Sequence, residues 1–171
     1  MQKAEIARMI RVDQAGELAA TKIYEGQLSI LSRSAANPIL NEMLDQEKTH
    51  LSSFNTALKT HNVSPTVFNP LWERIAYGLG VATALMGKRA AMACTIAVEE
   101  VIETHYKKQL STLPKDAPTT LRATIQKCYE DEISHKEVAE HHGGRSVSGY
   151  RTLSKAIKFG CRTAIWLSER A

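Results

Sequence analysis

The sequence predicts an all-α protein, a four-helix bundle made by duplicating one helical hairpin and extended by further amphipathic helices. Its 171 residues suit one domain with a real core, taken here as 1–171. Three observations lead to this reading. Apolar residues recur at steps of three and four along four long segments, with frequent Ala, Leu, Glu and Lys and no alternating β-branched runs. The second half of the chain repeats details of the first. The motif Glu-x-x-His occurs in each half, at Glu47/His50 and at Glu132/His135.

The first helix is read over 2–33, with Ile6, Ile10, Asp13, Glu17, Ala20, Tyr24 and Leu28 on one stripe. Asn37-Pro38 marks a turn. A second helix over 39–60 places Leu40, Met43, Glu47, His50, Phe54 and Leu58 on its stripe. Residues 61–70 contain Pro65 and Pro70 and read as loop. The apolar stretch 71–87 is interrupted by Gly78, Gly80 and Gly87, and is expected to form a short or broken helix. The next long helix, 88–112, carries Met92, Ile96, Glu99, Ile102, Tyr106 and Leu110. Pro114 and Pro118 flank a turn. The following helix runs from about 119 to 142 along Leu121, Ile125, Cys128, Glu132, His135 and Ala139, and Gly143-Gly144 stops it. A last helix spans 148–169.

The repeat is specific. Glu17-x6-Tyr24-x2-Gln27-Leu28 matches Glu99-x6-Tyr106-x2-Gln109-Leu110. Asp45-Gln46-Glu47-Lys48-Thr49-His50 aligns with Glu130-Asp131-Glu132-Ile133-Ser134-His135. Each Glu-x-x-His follows a lone glutamate, by 30 residues in one half and 33 in the other.

That order suits a metal pair. Residues i and i+3 share a helix face about 5–6 Å apart, so each Glu/His pair can serve one ion. All six residues lie on apolar stripes and should point inward. Composition alone makes about half of one Glu-x-x-His expected by chance, so the repeat and the core-facing positions carry the argument. Unpaired buried carboxylates are costly. Four carboxylates against two divalent ions balance at about −4 and +4, and the mixed oxygen and nitrogen donors favour iron or manganese over structural zinc. The candidate ligands are Glu17, Glu47, His50, Glu99, Glu132 and His135. Glu103, near the same stripe, is the alternative to Glu99.

Other classes are excluded by composition. A hydrophobic share of 43% and a charged share of 23% describe neither a disordered chain nor a polytopic membrane protein. The net charge of +4 comes without a basic arm carrying interleaved aromatics, so no nucleic acid is expected. Cys94, Cys128 and Cys161 are widely spaced and form no C-x-x-C pair, which argues for a reducing compartment and against zinc, disulfide or rubredoxin-like modules. The N-terminal MQKAEIARMIRVDQ enters amphipathic helix at once, without a secretory h-region. No G-x-G-x-x-G fingerprint is present.

The segments Ile10-Arg11-Val12-Asp13-Gln14-Ala15-Gly16-Glu17, Asp45 to His50, Ala91 to Glu100, Asp131 to His135, Pro70-Leu71-Trp72 and Gly160 to Arg170 resemble the demethoxyubiquinone hydroxylase family of ubiquinone biosynthesis. The resemblance covers nearly the whole chain; only the turn from Ser111 to Thr120 looks shorter than in longer members. It implies a ferritin-like di-iron monooxygenase that hydroxylates the ring of a demethoxyubiquinol with O2, using two iron ions and an external reductant such as NADH. It implies the six ligands named above and makes His105 and Tyr106 candidates for electron or proton transfer. It also implies a polyprenyl quinol substrate and peripheral attachment to an inner membrane, on the cytoplasmic face in a bacterium or the matrix face in a mitochondrion. Partner proteins of ubiquinone biosynthesis and a homo-oligomer are further expectations.

A lipid substrate calls for membrane contact. The segments 71–87 and 148–169 are the candidate membrane-contacting helices, and the uncharged run 75–87 within the first is too short to span a bilayer. In 148–169, Lys155, Lys158 and Arg162 cluster on one face and Leu153, Ile157, Cys161 and Ala164 on another, a pattern that suits an in-plane helix on anionic lipid. Two competing readings are a ferritin-like iron- or peroxide-handling protein and a non-catalytic quinone- or lipid-binding scaffold.

Overall fold

The computed structural model describes residues 2–170. Those residues form six α-helices and one short 3-10 turn, with no strand among them. The helices are α1 (Gln2–Leu31), α2 (Asn37–Thr60), α3 (Asn69–Leu85), α4 (Lys88–Thr112), α5 (Thr119–His141) and α6 (Tyr150–Ser168), with the 3-10 turn at Gly144–Ser146. This is the all-α, ferritin-like bundle that the apolar periodicity predicts. The hairpins α1–α2 and α4–α5 form its frame, while α3 lies along α1 and α6 along α4.

Local chemistry sets the boundaries. Pro38 sits in the first turn of α2, where its missing N–H costs nothing. The turn between α4 and α5 is closed by Arg122, whose guanidinium donates to the carbonyls of Leu113 and Pro114 at 3.1 and 3.0 Å. In α4 every residue from Ala90 to Glu99 is buried, because small side chains let neighbours approach from all sides.

Of the short or broken helix expected over 71–87, the structure has the short one: α3, 17 residues, is continuous through Gly78 and Gly80. Gly80 packs on the backbone of α1, where a Cβ would stand 2.1 Å from the Ile23 carbonyl oxygen. Gly26 of α1 returns the contact, with its missing Cβ 2.3 Å from the Tyr77 carbonyl oxygen. These glycines therefore permit two helices to touch, and do not end one.

Two apolar clusters occupy the ends of the frame. Met9, Ile10, Phe54, Leu58, Leu121 and Ile125 fill one. Leu40, Met43, Leu44, Met92, Ile96 and Ala139 fill the other. The inward polar residues lie between them, shielded from water at both ends.

Candidate metal centre

Each frame helix contributes from its buried stripe: α1 gives Glu17, α2 gives Glu47 and His50, α4 gives Glu99, and α5 gives Glu132 and His135. None of the six exceeds 4% exposure. They converge as two overlapping quartets, Glu17/Glu47/His50/Glu132 and Glu47/Glu99/Glu132/His135. Within each, one donor atom per residue lies within 4.8 Å of the others.

The shared carboxylates face both ways. Glu47 turns Oε2 toward His50 Nδ1 (3.8 Å) and Oε1 toward His135 Nδ1 (3.1 Å). Glu132 turns Oε1 toward His50 Nδ1 (3.6 Å) and Oε2 toward His135 Nδ1 (3.2 Å). Glu17 Oε2 stands 3.5 Å from His50 Nδ1. Glu47 and Glu132 are thus shared by the two quartets, and each quartet holds one imidazole, a donor set that would suit one ion per quartet.

A test of fit comes from the buried polar atoms. Both carboxylate oxygens of Glu47, Oε2 of Glu17 and Nδ1 of His50 are buried without a hydrogen bond. Four orphaned donor atoms aimed at one interior volume have no structural rationale in a water-excluded core. A pair of divalent cations would satisfy them, so the residues fit the ions that the sequence implies.

The outer ring nitrogens are anchored across the bundle. His50 Nε2 lies 2.9 Å from Asp131 Oδ2 on α5, and His135 Nε2 lies 2.6 Å from Gln46 Oε1 on α2. Gln46 and Asp131 occupy equivalent places in the repeat, each just before the Glu of its motif. The tyrosines are exchanged too. Tyr24 of α1 donates to Glu99 Oε1 at 3.0 Å, and Tyr106 of α4 donates to Glu17 Oε1.

Electrostatics follow from burial. Desolvation pushes the Glu99 carboxyl well above its usual range, and the nearby Glu132 and Glu47 charges add to this. Burial also raises Glu47. For the imidazoles burial acts downward, but the surrounding carboxylates win: His135 rises to about 10 and His50 rises strongly, held by Glu132, Glu17 and Glu47. Without metal the centre holds protons in the places where cations would go.

Of the other residues singled out by sequence, Tyr106 is fully buried and His105 half-buried. His105 Nε2 lies 2.9 Å from Asp13 Oδ1, which also accepts a 2.7 Å hydrogen bond from the Gln109 amide. Glu103 does not join the cluster; it is half-buried and pairs with Lys136 of α5. Lys158 is likewise half-buried and pairs with Glu100 of α4. That corrects its place in an exposed cationic face on the last helix, where Lys155 and Arg162 remain exposed. Cys128 is buried one turn before Glu132, its sulfur within reach of Glu17 and His50 donor atoms. The sequence reading assigned no role to Asp13, Gln46, Asp131 or Cys128; for Gln46 and Asp131 the repeat alignment held the signal.

Fold and site together define a ferritin-like bundle with a carboxylate- and histidine-lined core. Within that class the chain belongs to the family described as ubiquinone biosynthesis protein COQ7, whose pattern matches residues 4–168. It is 44% identical over 171 residues to the human "NADPH-dependent 3-demethoxyubiquinone 3-hydroxylase, mitochondrial", covering 98% of this chain and 79% of the relative. It is 45% identical over 168 residues to the "3-demethoxyubiquinol 3-hydroxylase" of Rhodospirillum rubrum, with the same coverage. The "5-demethoxyubiquinone hydroxylase, mitochondrial" of Saccharomyces cerevisiae is 39% identical over 185 residues, covering 99% of this chain and 79% of the relative. The chain is thus a member of an enzyme family of ubiquinone biosynthesis whose relatives are hydroxylases. Among the described residues, no helix is long and apolar enough to cross a membrane.

Proposed function

We propose that this protein is a di-iron monooxygenase that hydroxylates the ring of a demethoxyubiquinol. Glu17, Glu47, His50, Glu99, Glu132 and His135 would hold the iron pair. When bound, the irons supply O2 activation and electron transfer, which carboxylates and imidazoles alone cannot perform. One oxygen atom enters the ring, and the other leaves as water after uptake of two electrons and two protons. The electrons come from the quinol or from an external reductant such as NADH or NADPH.

The observation that carries this reading is an apolar groove that ends at the metal centre. The groove, about 520 Å³, runs between α1, α3 and α6, and none of its lining side chains is charged. Ala15, Ala19, Ile75, Leu79 and Ile157 lie along it. It narrows at Gly16, Ala20, Ile102 and Ile165 into a recess of about 20 Å³. That recess is lined by Glu17, Glu99, Glu132, His105 and Tyr106. A polyprenyl tail suits the groove, with the ring held at its inner end against the recess, which is itself about one water in size and leads toward the carboxylates. The chain's own residues then orient the ring, exclude bulk water and move protons at the His105 ring and the Tyr106 hydroxyl.

The groove rim also supports membrane contact. Ile75 and Phe159 line it while 53% and 74% exposed, so they offer apolar surface to a bilayer. Trp166 is exposed on the same helix as Phe159, along with Lys155 and Arg162. An in-plane attachment through α3 and α6 would let the quinol pass from lipid into the groove.

The test is direct. Metal-free protein is loaded anaerobically with Fe(II), mixed with a short-chain demethoxyquinol and isotopically labelled O2, and the product is analysed by mass spectrometry. A ring hydroxyl carrying the label is expected; two bound irons without that product would refute the reading. Co-sedimentation with anionic liposomes, weakened in a Phe159→Ser/Lys155→Gln/Arg162→Gln variant, tests the membrane face.

A further inference from the structure

The apolar groove does not explain how a hydrated cation would reach the six ligands. Every lining residue there is uncharged, and stripping a divalent ion of water along such a path carries a large desolvation cost. The structure offers a second opening in a different place. Helices α2 and α5 touch only sparingly, and a cleft of about 820 Å³ lies between them, lined by these two helices alone. Ser53, Ala123 and Thr124 keep it open because their side chains are short.

Its lining is polar and acidic. Glu42, Asp45 and Asp131 face it with Lys127 as the one ammonium, three negative charges against one positive. Lys48 reaches Asp45 from beside the cleft at 3.5 Å, but both groups are largely exposed. The whole chain, by contrast, carries a net charge of +4. The inner end of the cleft is formed by His50, 4% exposed, with Cys128 beside it. Asp131 is the carboxylate that both lines the cleft and touches a ligand imidazole, at 2.9 Å from His50 Nε2, while its other oxygen pairs with Lys127. On the far side of the His50 ring, Nδ1 is buried without a hydrogen bond and faces Glu17, Glu47 and Glu132.

We propose that the α2–α5 cleft is the loading port for the divalent metal, separate from the apolar groove. It rests on the reading of the six residues as a metal site. Glu42 and Asp45 concentrate the hydrated cation at the mouth. Asp131 exchanges its Lys127 partner for the cation and passes it over the His50 ring to the quartet of Glu17, Glu47, His50 and Glu132. The second quartet fills through the shared carboxylates Glu47 and Glu132. The port, between α2 and α5, and the quinol groove, lined by α1, α3, α4 and α6, therefore enter the centre from different helices, so metal can load while the groove holds an apolar molecule.

Loading kinetics test this, with Co(II) as the probe, added to the metal-free protein and followed by its visible absorption in stopped flow. Ser53→Phe/Thr124→Phe, which fills the cleft without touching a ligand, is expected to slow loading about tenfold or more at unchanged final stoichiometry. Glu42→Gln/Asp45→Asn, at exposed positions that leave folding intact, should slow loading several-fold at low salt and match the parent at high salt. Ala156→Phe, on the lining of the apolar groove, should load at the parental rate. Parental loading by both cleft variants, or slowing by Ala156→Phe alone, would overturn the port. If the parent chain itself takes up no metal, the metal-site reading falls and the port with it. Circular dichroism checks the fold of each variant, and the charge pair decides should the filled cleft misfold.

Discussion

The Tyr24 hydroxyl donates a 3.0 Å hydrogen bond to Glu99, across the bundle from the first hairpin to the second. Tyr106 returns it to Glu17. Each tyrosine follows the lone glutamate of its own helix by seven residues and serves the glutamate of the other. The duplication is thus locked by an exchange of partners at its centre.

That exchange predicts matched stability effects and unmatched catalytic ones. Tyr24→Phe and Tyr106→Phe each remove a buried hydroxyl donor from a carboxylate, which costs about 1–3 kcal/mol in the metal-free protein. Chemical denaturation should give similar losses for both. Only Tyr106 lines the recess with His105, so Tyr106→Phe should also lower quinol turnover at full metal occupancy, while Tyr24→Phe should not.

Proton bookkeeping gives a second prediction. His135 rises to about 10 from 6.5 in the metal-free fold, and His50 is raised too, as its carboxylate partners outweigh burial. A raised folded-state value contributes stability that is complete below the unfolded value of 6.5 and is lost as pH climbs through the folded value. Glu47 and Glu99, raised by burial above 4.5, have the same sign, with their contribution complete below 4.5 and lost on the way up. The metal-free protein should therefore lose thermal stability as pH rises from near 6.5 toward 10. Metal must displace those protons, so its apparent affinity should rise over the same window. Calorimetry in buffers of different ionisation enthalpy should register proton release on loading; zero release would contradict the protonated centre.

How much of this was legible beforehand can be traced residue by residue. The six inward polar residues were visible because they interrupt apolar stripes at helical spacing, and the repeat paired them. Glu99 and Glu103 lie one turn apart on α4, and the repeat alignment selects Glu99; in the structure Glu103 is taken up by Lys136 of α5. Sequence leaves a short or a broken helix open around Gly80, because the role of that glycine depends on the α1 backbone around Ile23, remote in sequence. Lys158 was read as a surface cation because Glu100, its partner, lies on another helix. Pattern along one helix was readable; a side chain's choice between solvent and a distant partner was not.

Gly16 gives a third prediction. It lines both the groove and the inner recess, and a Cβ there would meet nothing within 4 Å. Gly16→Ala should therefore stabilise α1 by about 0.5–1 kcal/mol through helix propensity. Gly16→Leu puts a branched side chain at the junction where the ring would pass. It should lower kcat/KM for a demethoxyquinol by on the order of a hundredfold, with metal stoichiometry unchanged. Undiminished kcat/KM in Gly16→Leu would mean that the substrate enters elsewhere.

Asp13 gives the last. It is 2% exposed, and burial raises its carboxyl while the His105 and Gln109 contacts pull it down. Oδ1 receives the Gln109 amide at 2.7 Å and lies 2.9 Å from His105 Nε2; Oδ2 has no hydrogen bond. A carboxylate that touches one ring nitrogen fixes the tautomer and rotation of an imidazole. His105 lines the recess, and Asp13 together with the Gln109 amide, 2.9 Å from the same ring nitrogen, holds its orientation there. Asp13 touches none of the six ligands, which separates its role from metal binding. Asp13→Asn keeps the volume and removes the charge. Iron stoichiometry and KM should stay at parental values while kcat falls on the order of tenfold to a hundredfold, the scale of losing an orienting partner. A parental kcat would show that His105 works without Asp13, or that it takes no part in turnover.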